Sequence, residues 1–103
     1  MDVTETAREA GFAVPVALTD NVWADVRDVL DSKRGIQDPH GRLWDLLYMG
    51  RLAASRASAL DRSEILYRLH MDLGRKRLYF AKLHVGPGDA GEPIVTIMRS
   101  DED

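Results

Sequence analysis

Three residues of one segment, Trp44, Tyr48 and Arg51, combine types and spacing suited to recognising another protein. They follow one another at steps of four and three residues, which places them on one flank of a helix. Trp, Tyr and Arg are also the residue types that carry much of the binding energy in protein interfaces. The pattern therefore predicts a partner-binding flank. Two alternatives stay open: Trp44 packs under the preceding helix while Tyr48 covers a sheet edge, or the flank mediates self-association.

A glycine-rich segment at residues 86–93, GPGDAGEP, is a second candidate contact. Glycine loops that cradle phosphate offer consecutive N–H groups at the start of a helix. Here two prolines remove donors, a strand is predicted to follow, and Asp89 and Glu92 would repel an anion. The segment is typical of a structured connection between strands, and Asp89 and Glu92 become candidate contacts for a protein partner.

Residues that could bind metal or act as nucleophiles are poorly spaced for either task. His40, His70 and His84 form neither an H-x₃-H nor an HExxH arrangement. The chain has no cysteine, which excludes thiolate catalysis, and it has no G-x-S-x-G elbow. The carboxylate of Asp25 falls on the predicted solvated side of a helix. We therefore predict a non-enzymatic protein without a metal or other cofactor.

Basic residues are concentrated in the middle of the chain. The net charge is −3, yet residues 32–85 carry eleven bases against five acids. Residues 1–31 carry seven acids against two bases, and residues 86–103 carry five acids against one. Either these segments are solvated or face each other, or the basic middle binds a polyanion.

Nucleic-acid binding is the alternative function that this charge pattern suggests. Three helices followed by a hairpin is the element order of a winged helix, in which the third helix enters the major groove. Arg75, Lys76 and Arg77 would contact phosphates from the hairpin tip, with Arg42 near the start of the third helix. Asp45 would face the phosphates, and this opposes the interpretation.

A helix over residues 38–57 must position the Trp44 flank. Asp38 is a good N-cap and Pro39 suits the first helical position. The buried face begins with leucines and ends with Gly50 and three alanines, Ala53, Ala54 and Ala57. We expect a neighbouring backbone to pass close to Gly50, because small side chains permit that approach.

The segments before this helix predict a second main helix and an N-terminal arm. Thr19 is a candidate N-cap for a helix that ends near Ser32, with apolar residues at steps of three and four. Residues 3–10 predict a short helix that ends at Gly11. Residues 12–18 look extended, and since Pro15 lacks an N–H they predict an edge strand or a connecting arm. The arm and short helix together span residues 1–18.

The hydrophobic period changes from 3.6 to 2 after residue 63. Strands are predicted over residues 64–72, 77–85 and 94–98, followed by an acidic tail at 99–103. The predicted fold is α+β: a single domain over 1–103, with two main helices and a short N-terminal helix packed on a three-stranded antiparallel meander. No apolar run approaches the roughly 20 residues of a membrane span. We therefore expect a cytoplasmic protein without membrane association.

Several blocks of the sequence resemble one family of proteins. They are A-R-E-A-G-F at 7–12, P-V-A-L-T at 15–19 with V-W at 22–23, G-R-L-W-D-L-L at 41–47, and G-P-G-D-A-G-E-P-I-V-T-I at 86–97. This pattern resembles a family of small bacterial proteins of unknown function that occur on plasmids, phages and integrated elements. The resemblance implies an accessory-genome protein and supplies no activity. Our leading hypothesis is a regulatory binding protein whose partner is a host or element-encoded protein.

Overall fold

A computed structural model describes residues 1–28, 39–56, 63–72 and 76–102. In chain order its elements are α1 (Thr4–Glu9), β1 (Val16–Leu18), α2 (Asp20–Asp28), α3 (Pro39–Arg56), β2 (Glu64–Asp72), β3 (Lys76–Pro87) and β4 (Pro93–Arg99). The α+β class is therefore confirmed. The predicted Asp38 cap and the predicted end of the second helix at Ser32 lie outside the described residues.

The sheet has four strands in the order β1-β4-β3-β2, so the predicted three-stranded meander was incomplete. Strands β2, β3 and β4 pair antiparallel as expected, and β1 adds to β4 in parallel, with Val16 opposite Val95. Pro15 does not prevent this pairing, because it contributes only its carbonyl oxygen, which accepts from Val95 N at 2.9 Å. Three residues are too few to show a period of 2, which is why the sequence left β1 undecided.

Residues 1–3 occupy the outer edge of β1. Val3 N donates to Val16 O at 2.9 Å, and Leu18 N donates to Met1 O at 2.8 Å. These bonds use backbone groups of β1 that point away from β4. One edge of the sheet is thus already paired, whereas β2 forms the opposite edge.

The core lies between the helices and one face of the sheet. Side chains of α3, including Leu46 and Leu47, are fully buried, and α3 packs on β2 while α2 packs on β4. Thr19 caps α2 as predicted, because its Oγ1 accepts from Val22 N at 3.3 Å. The alternate strand residues, such as Phe80, point away from the helices and are more exposed.

Gly50 permits a close contact, but its neighbour is a side chain and not the backbone that we predicted. A Cβ atom at this position would lie 2.9 Å from Tyr67 Oη. That hydroxyl donates to Leu46 O at 2.9 Å, and burial raises the pKa of Tyr67. Tyr67 of β2 therefore joins α3 to the sheet through one buried hydrogen bond, and Gly50 leaves space for its ring.

Asp25 is paired and does not lie on a merely solvated helix side as the sequence suggested. Arg99 of β4 donates Nε and Nη2 to its two carboxylate oxygens at 2.7 and 2.6 Å, and Tyr79 Oη also donates to Asp25. Burial alone would raise the pKa of Asp25, but the hydrogen bonds from Arg99 and Tyr79 outweigh it and lower that pKa. This cluster ties α2 to the sheet.

The segment predicted as an acidic tail is also bonded to the domain. Arg99 closes β4, and Glu102 accepts from Thr19 Oγ1 at 2.9 Å and from Arg99 N at 2.8 Å. Burial would raise the pKa of Glu102, but hydrogen bonds led by that from Arg99 N lower it. No helix in the described part of the chain is long and apolar enough to cross a membrane.

Candidate partner-binding site

The outer edge of β2 offers backbone groups that are not paired within the described residues. Val85 N donates to Ser63 O at 2.8 Å, which fixes the odd-numbered residues of this ladder as those bonded to β3. The even-numbered residues Leu66, Arg68 and His70 therefore direct their N–H and C=O groups away from β3. This edge is nine residues long and is a template for one more strand.

A groove runs along this edge between β2 and α3. It consists of two cavities, of about 630 and 360 Å³, which share Met49 and Arg68 as lining residues. The helical wall comprises Asp45, Tyr48, Met49, Leu52, Ala53 and Arg56. These positions recur at steps of three and four, so they form one face of α3. The mixed apolar and polar wall could receive side chains of an extended segment.

Leu66 is a highly exposed apolar residue of this edge, and it lies between two opposite charges. Its side chain is 69% exposed, the highest value among the large hydrophobic residues that the structure describes. Glu64 and Arg68 lie two residues to either side, on the same face of the sheet. The exposed carboxylate of Glu64 forms an ion pair with the largely buried Lys82 at 3.5 Å. An apolar side chain flanked by opposite charges thus lies beside backbone groups that no described residue pairs.

Two of the three predicted flank residues are brought together on α3. The rings of Trp44 and Tyr48 stack with centroids 6.0 Å apart and planes 11° apart. Tyr48 is 41% exposed and lines the groove beside β2, whereas Trp44 is half-buried against the core. Tyr48 is thus the residue of this flank that is accessible to a partner, and the stacked ring of Trp44 restricts its orientation.

The other predicted protein contacts lie outside the groove. Arg51 is exposed, and its Nε donates to Gly11 O at 3.2 Å at the end of α1. Asp89 and Glu92 lie in the connection between β3 and β4, where Glu92 Oε2 accepts from Ala90 N at 3.0 Å. The groove lining includes none of Arg51, Asp89 and Glu92.

The residues predicted for nucleic-acid binding do not form a described surface. Arg42 is buried, and its Nε and Nη2 donate to Val26 O at 3.1 and 3.0 Å, so it joins α3 to α2 and does not point outward. Arg75 lies outside the described residues. Lys76 and Arg77 begin β3 opposite Asp72 and Met71, and their side chains are not described.

No metal-binding cluster is found in the described part of the chain. Nowhere there do three His, Asp or Glu side chains gather where they could hold a metal ion. His70 and His84 lie on β2 and β3, on the face of the sheet away from the helices. No family model, curated protein or solved structure matches the chain in the comparisons made.

Sequence reasoning missed the β2 edge as a site. The alternating pattern of residues 64–72 showed a strand, but its outer position follows only from the order of all four strands. The available signal was the first place of β2 in the meander, because a first strand lies at an edge unless a more distant strand covers it.

Proposed function

We propose that this protein is a non-enzymatic protein-binding domain that receives an extended segment of its partner along the outer edge of β2. The observation that supports the proposal is the coincidence of nine residues of edge strand with a groove beside it. Strand addition obtains affinity from main-chain hydrogen bonds and specificity from pockets for alternate side chains. Both requirements meet at this edge.

The incoming strand would use its two faces differently. One set of alternate side chains would lie on the helix side of the sheet, at the groove beside Met49, Leu52 and Tyr48. The other set would lie on the open face of the sheet, beside Leu66 and Arg68, where an apolar and an acidic residue fit best. An accessory-genome origin and a regulatory role, with a host or element-encoded partner, belong to this proposal.

Two variants of α3 test the groove. Met49→Glu places a carboxylate in the apolar part of the groove, and Arg51→Ala is the matched control on the same helix outside the groove. We expect the glutamate variant to lose the proteins that co-purify with the wild type, and the control to retain them, with both chains folded by circular dichroism. Retention of the same proteins by Met49→Glu would contradict the proposal.

Binding of single-stranded nucleic acid is a second candidate function, and one observation supports it. Phe80 is 52% exposed on the face of the sheet away from the helices, and Arg68 is its direct neighbour on β2. An exposed aromatic ring beside a cation can stack a base and contact a phosphate. Fluorescence anisotropy with a labelled oligonucleotide tests it: binding should fall with salt and with Phe80→Ala. Equal binding by wild type and Phe80→Ala would remove this candidate.

A further inference from the structure

We propose that the segment received by the β2 edge is β2 of a second copy of this chain, paired antiparallel about a two-fold axis beside Leu66. The two four-stranded sheets would then form one continuous sheet. This inference rests on the proposed strand addition and names its partner.

Charge complementarity along the edge selects this partner and this register. The outward-facing positions read Glu64, Leu66 and Arg68, which is acidic, apolar and basic. An antiparallel neighbour reverses the order, so Glu64 of each copy faces Arg68 of the other, and the two Leu66 side chains meet at the axis. Opposite charges across neighbouring strands are favourable and like charges are unfavourable. A register centred on Arg68 would oppose two arginines, so the Leu66 register is favoured.

The backbone geometry agrees with the same register. Leu66 and the residues two positions to either side all direct their N–H and C=O groups outward, because the odd-numbered residues bond to β3. Pairing Leu66 with its own equivalent therefore joins two outward-facing residues, and so does pairing Glu64 with Arg68. Each pair exchanges both of its backbone hydrogen bonds.

The rest of the sheet limits assembly to two copies. Residues 1–3 already pair with the outer edge of β1, so β2 is the edge that can accept a strand. An interface that uses the same surface on both copies is closed. Natural edge strands are commonly protected by charged side chains, by proline or by shortness. β2 is nine residues long and contains no proline, and of its charged residues Glu64 and Arg68 are the ones that an antiparallel copy would pair.

The groove beside β2 would also be closed by this pairing. A two-fold axis perpendicular to the sheet places both α3 helices on the same face, so the two grooves meet above the axis. Met49, Leu52 and Ala53 of one copy would then face their equivalents in the other. The apolar residues of each helical wall would therefore be covered by those of the second copy.

Charge reversal tests the inference with the full chain. Glu64→Arg and Arg68→Glu each place like charges across the axis at two symmetric pairs. By sedimentation equilibrium we expect a wild-type dimer and, in each single variant, dimerisation at least about tenfold weaker. An equimolar mixture of the two variants opposes only unlike charges, so it should form a heterodimer. The double variant Glu64→Arg/Arg68→Glu should again form a homodimer.

Two outcomes would overturn the proposal. One is a wild-type chain that stays monomeric at high concentration. The other is a dimer that either single charge reversal leaves unchanged. If a monomeric wild type still captures other proteins in a Met49→Glu-sensitive manner, self-pairing is wrong and strand addition stands. Hydrogen exchange supplies an independent readout: the Leu66 amide should become protected as protein concentration rises, whereas the inward Tyr67 amide should be protected throughout.

Discussion

Replacing Gly50 by alanine measures how tightly α3 is seated on β2. Two effects of opposite sign compete. Removing a glycine from a helix interior stabilises the folded chain by about 1 kcal/mol. The new Cβ would lie 2.9 Å from Tyr67 Oη and 3.0 Å from Cζ, and overpacking a filled core costs about 1–3 kcal/mol. Because the tyrosine is held by its bond to Leu46 O, it cannot move away freely. We expect Gly50→Ala to lower the free energy of unfolding by about 1 kcal/mol.

Tyr67→Phe supplies the second arm of a double-mutant cycle. Alone it removes a buried hydrogen bond and should cost about 1 kcal/mol. In that background the nearest clashing atom is gone and the ring is no longer tethered, so Gly50→Ala should be neutral or slightly stabilising. The two substitutions should therefore show a coupling energy of about 1 kcal/mol.

Urea denaturation followed by tryptophan fluorescence gives the four free energies, since Trp23 and Trp44 both pack partly against the core. Slopes that stay equal among the four proteins show that the unfolded states are comparable. If Gly50→Ala stabilises the wild type by the full helix-propensity amount, or if the two effects add within about 0.5 kcal/mol, then the contact does not constrain α3.

Further variants test other contacts by the same unfolding assay. The pKa of Asp25 is held below its ordinary value of 3.8, so its ion pair stabilises the fold above that pH and is lost as the pH falls through the lowered pKa. Asp25→Asn should cost about 1 kcal/mol at pH 7 and progressively less in acid; a pH-independent cost would contradict this. Arg42→Ala should cost about 1.5–3 kcal/mol, because a charged donor to a buried carbonyl is removed, and a neutral result would place that side chain outside the core. Gly11 has φ +108° and a Cβ there would overlap Arg51, whereas Gly91 has φ +84° with open space around it. Both alanine variants should pay about 1–2 kcal/mol for the left-handed backbone, with Gly11→Ala the costlier; equal costs would show that Arg51 simply moves aside.

Local patterns predicted most of the elements but not their long-range pairing. The periods of 3.6 and 2 located two helices and three antiparallel strands, because each extends over enough residues to show its repeat. β1 has only three residues, and its partner β4 lies far along the chain at Val95 to Ile97. Parallel pairing at such separation leaves no local trace, so the fourth strand required the structure.

The residues of the candidate site also differ in whether local sequence patterns could reveal their positions. Tyr48 could be predicted as an exposed residue because helical spacing alone places it on an outward flank. Arg42 could not be recognised as a buried residue, because its acceptor is the Val26 carbonyl on another helix. Asp25 was misassigned for a related reason, since its partner Arg99 is 74 residues away in sequence. Charged residues reveal their roles only when the elements that carry them have been placed.

The two edges of the sheet connect these observations to assembly. An edge strand exposes backbone donors and acceptors, and proteins that remain monomeric protect them. In this chain the β1 edge is covered locally by residues 1–3, while β2 combines outward backbone groups with an exposed Leu66. The hydrogen bond of Tyr67 fixes α3 on β2 and so determines the width of the groove. Leu66 and Arg68 have the opposite parity along β2, so their side chains lie on the other face of the sheet. Loosening the contact between Tyr67 and Gly50 should therefore weaken dimerisation as well as stability, because Tyr67 would lie directly opposite Ile65 of the second copy in the Leu66 register.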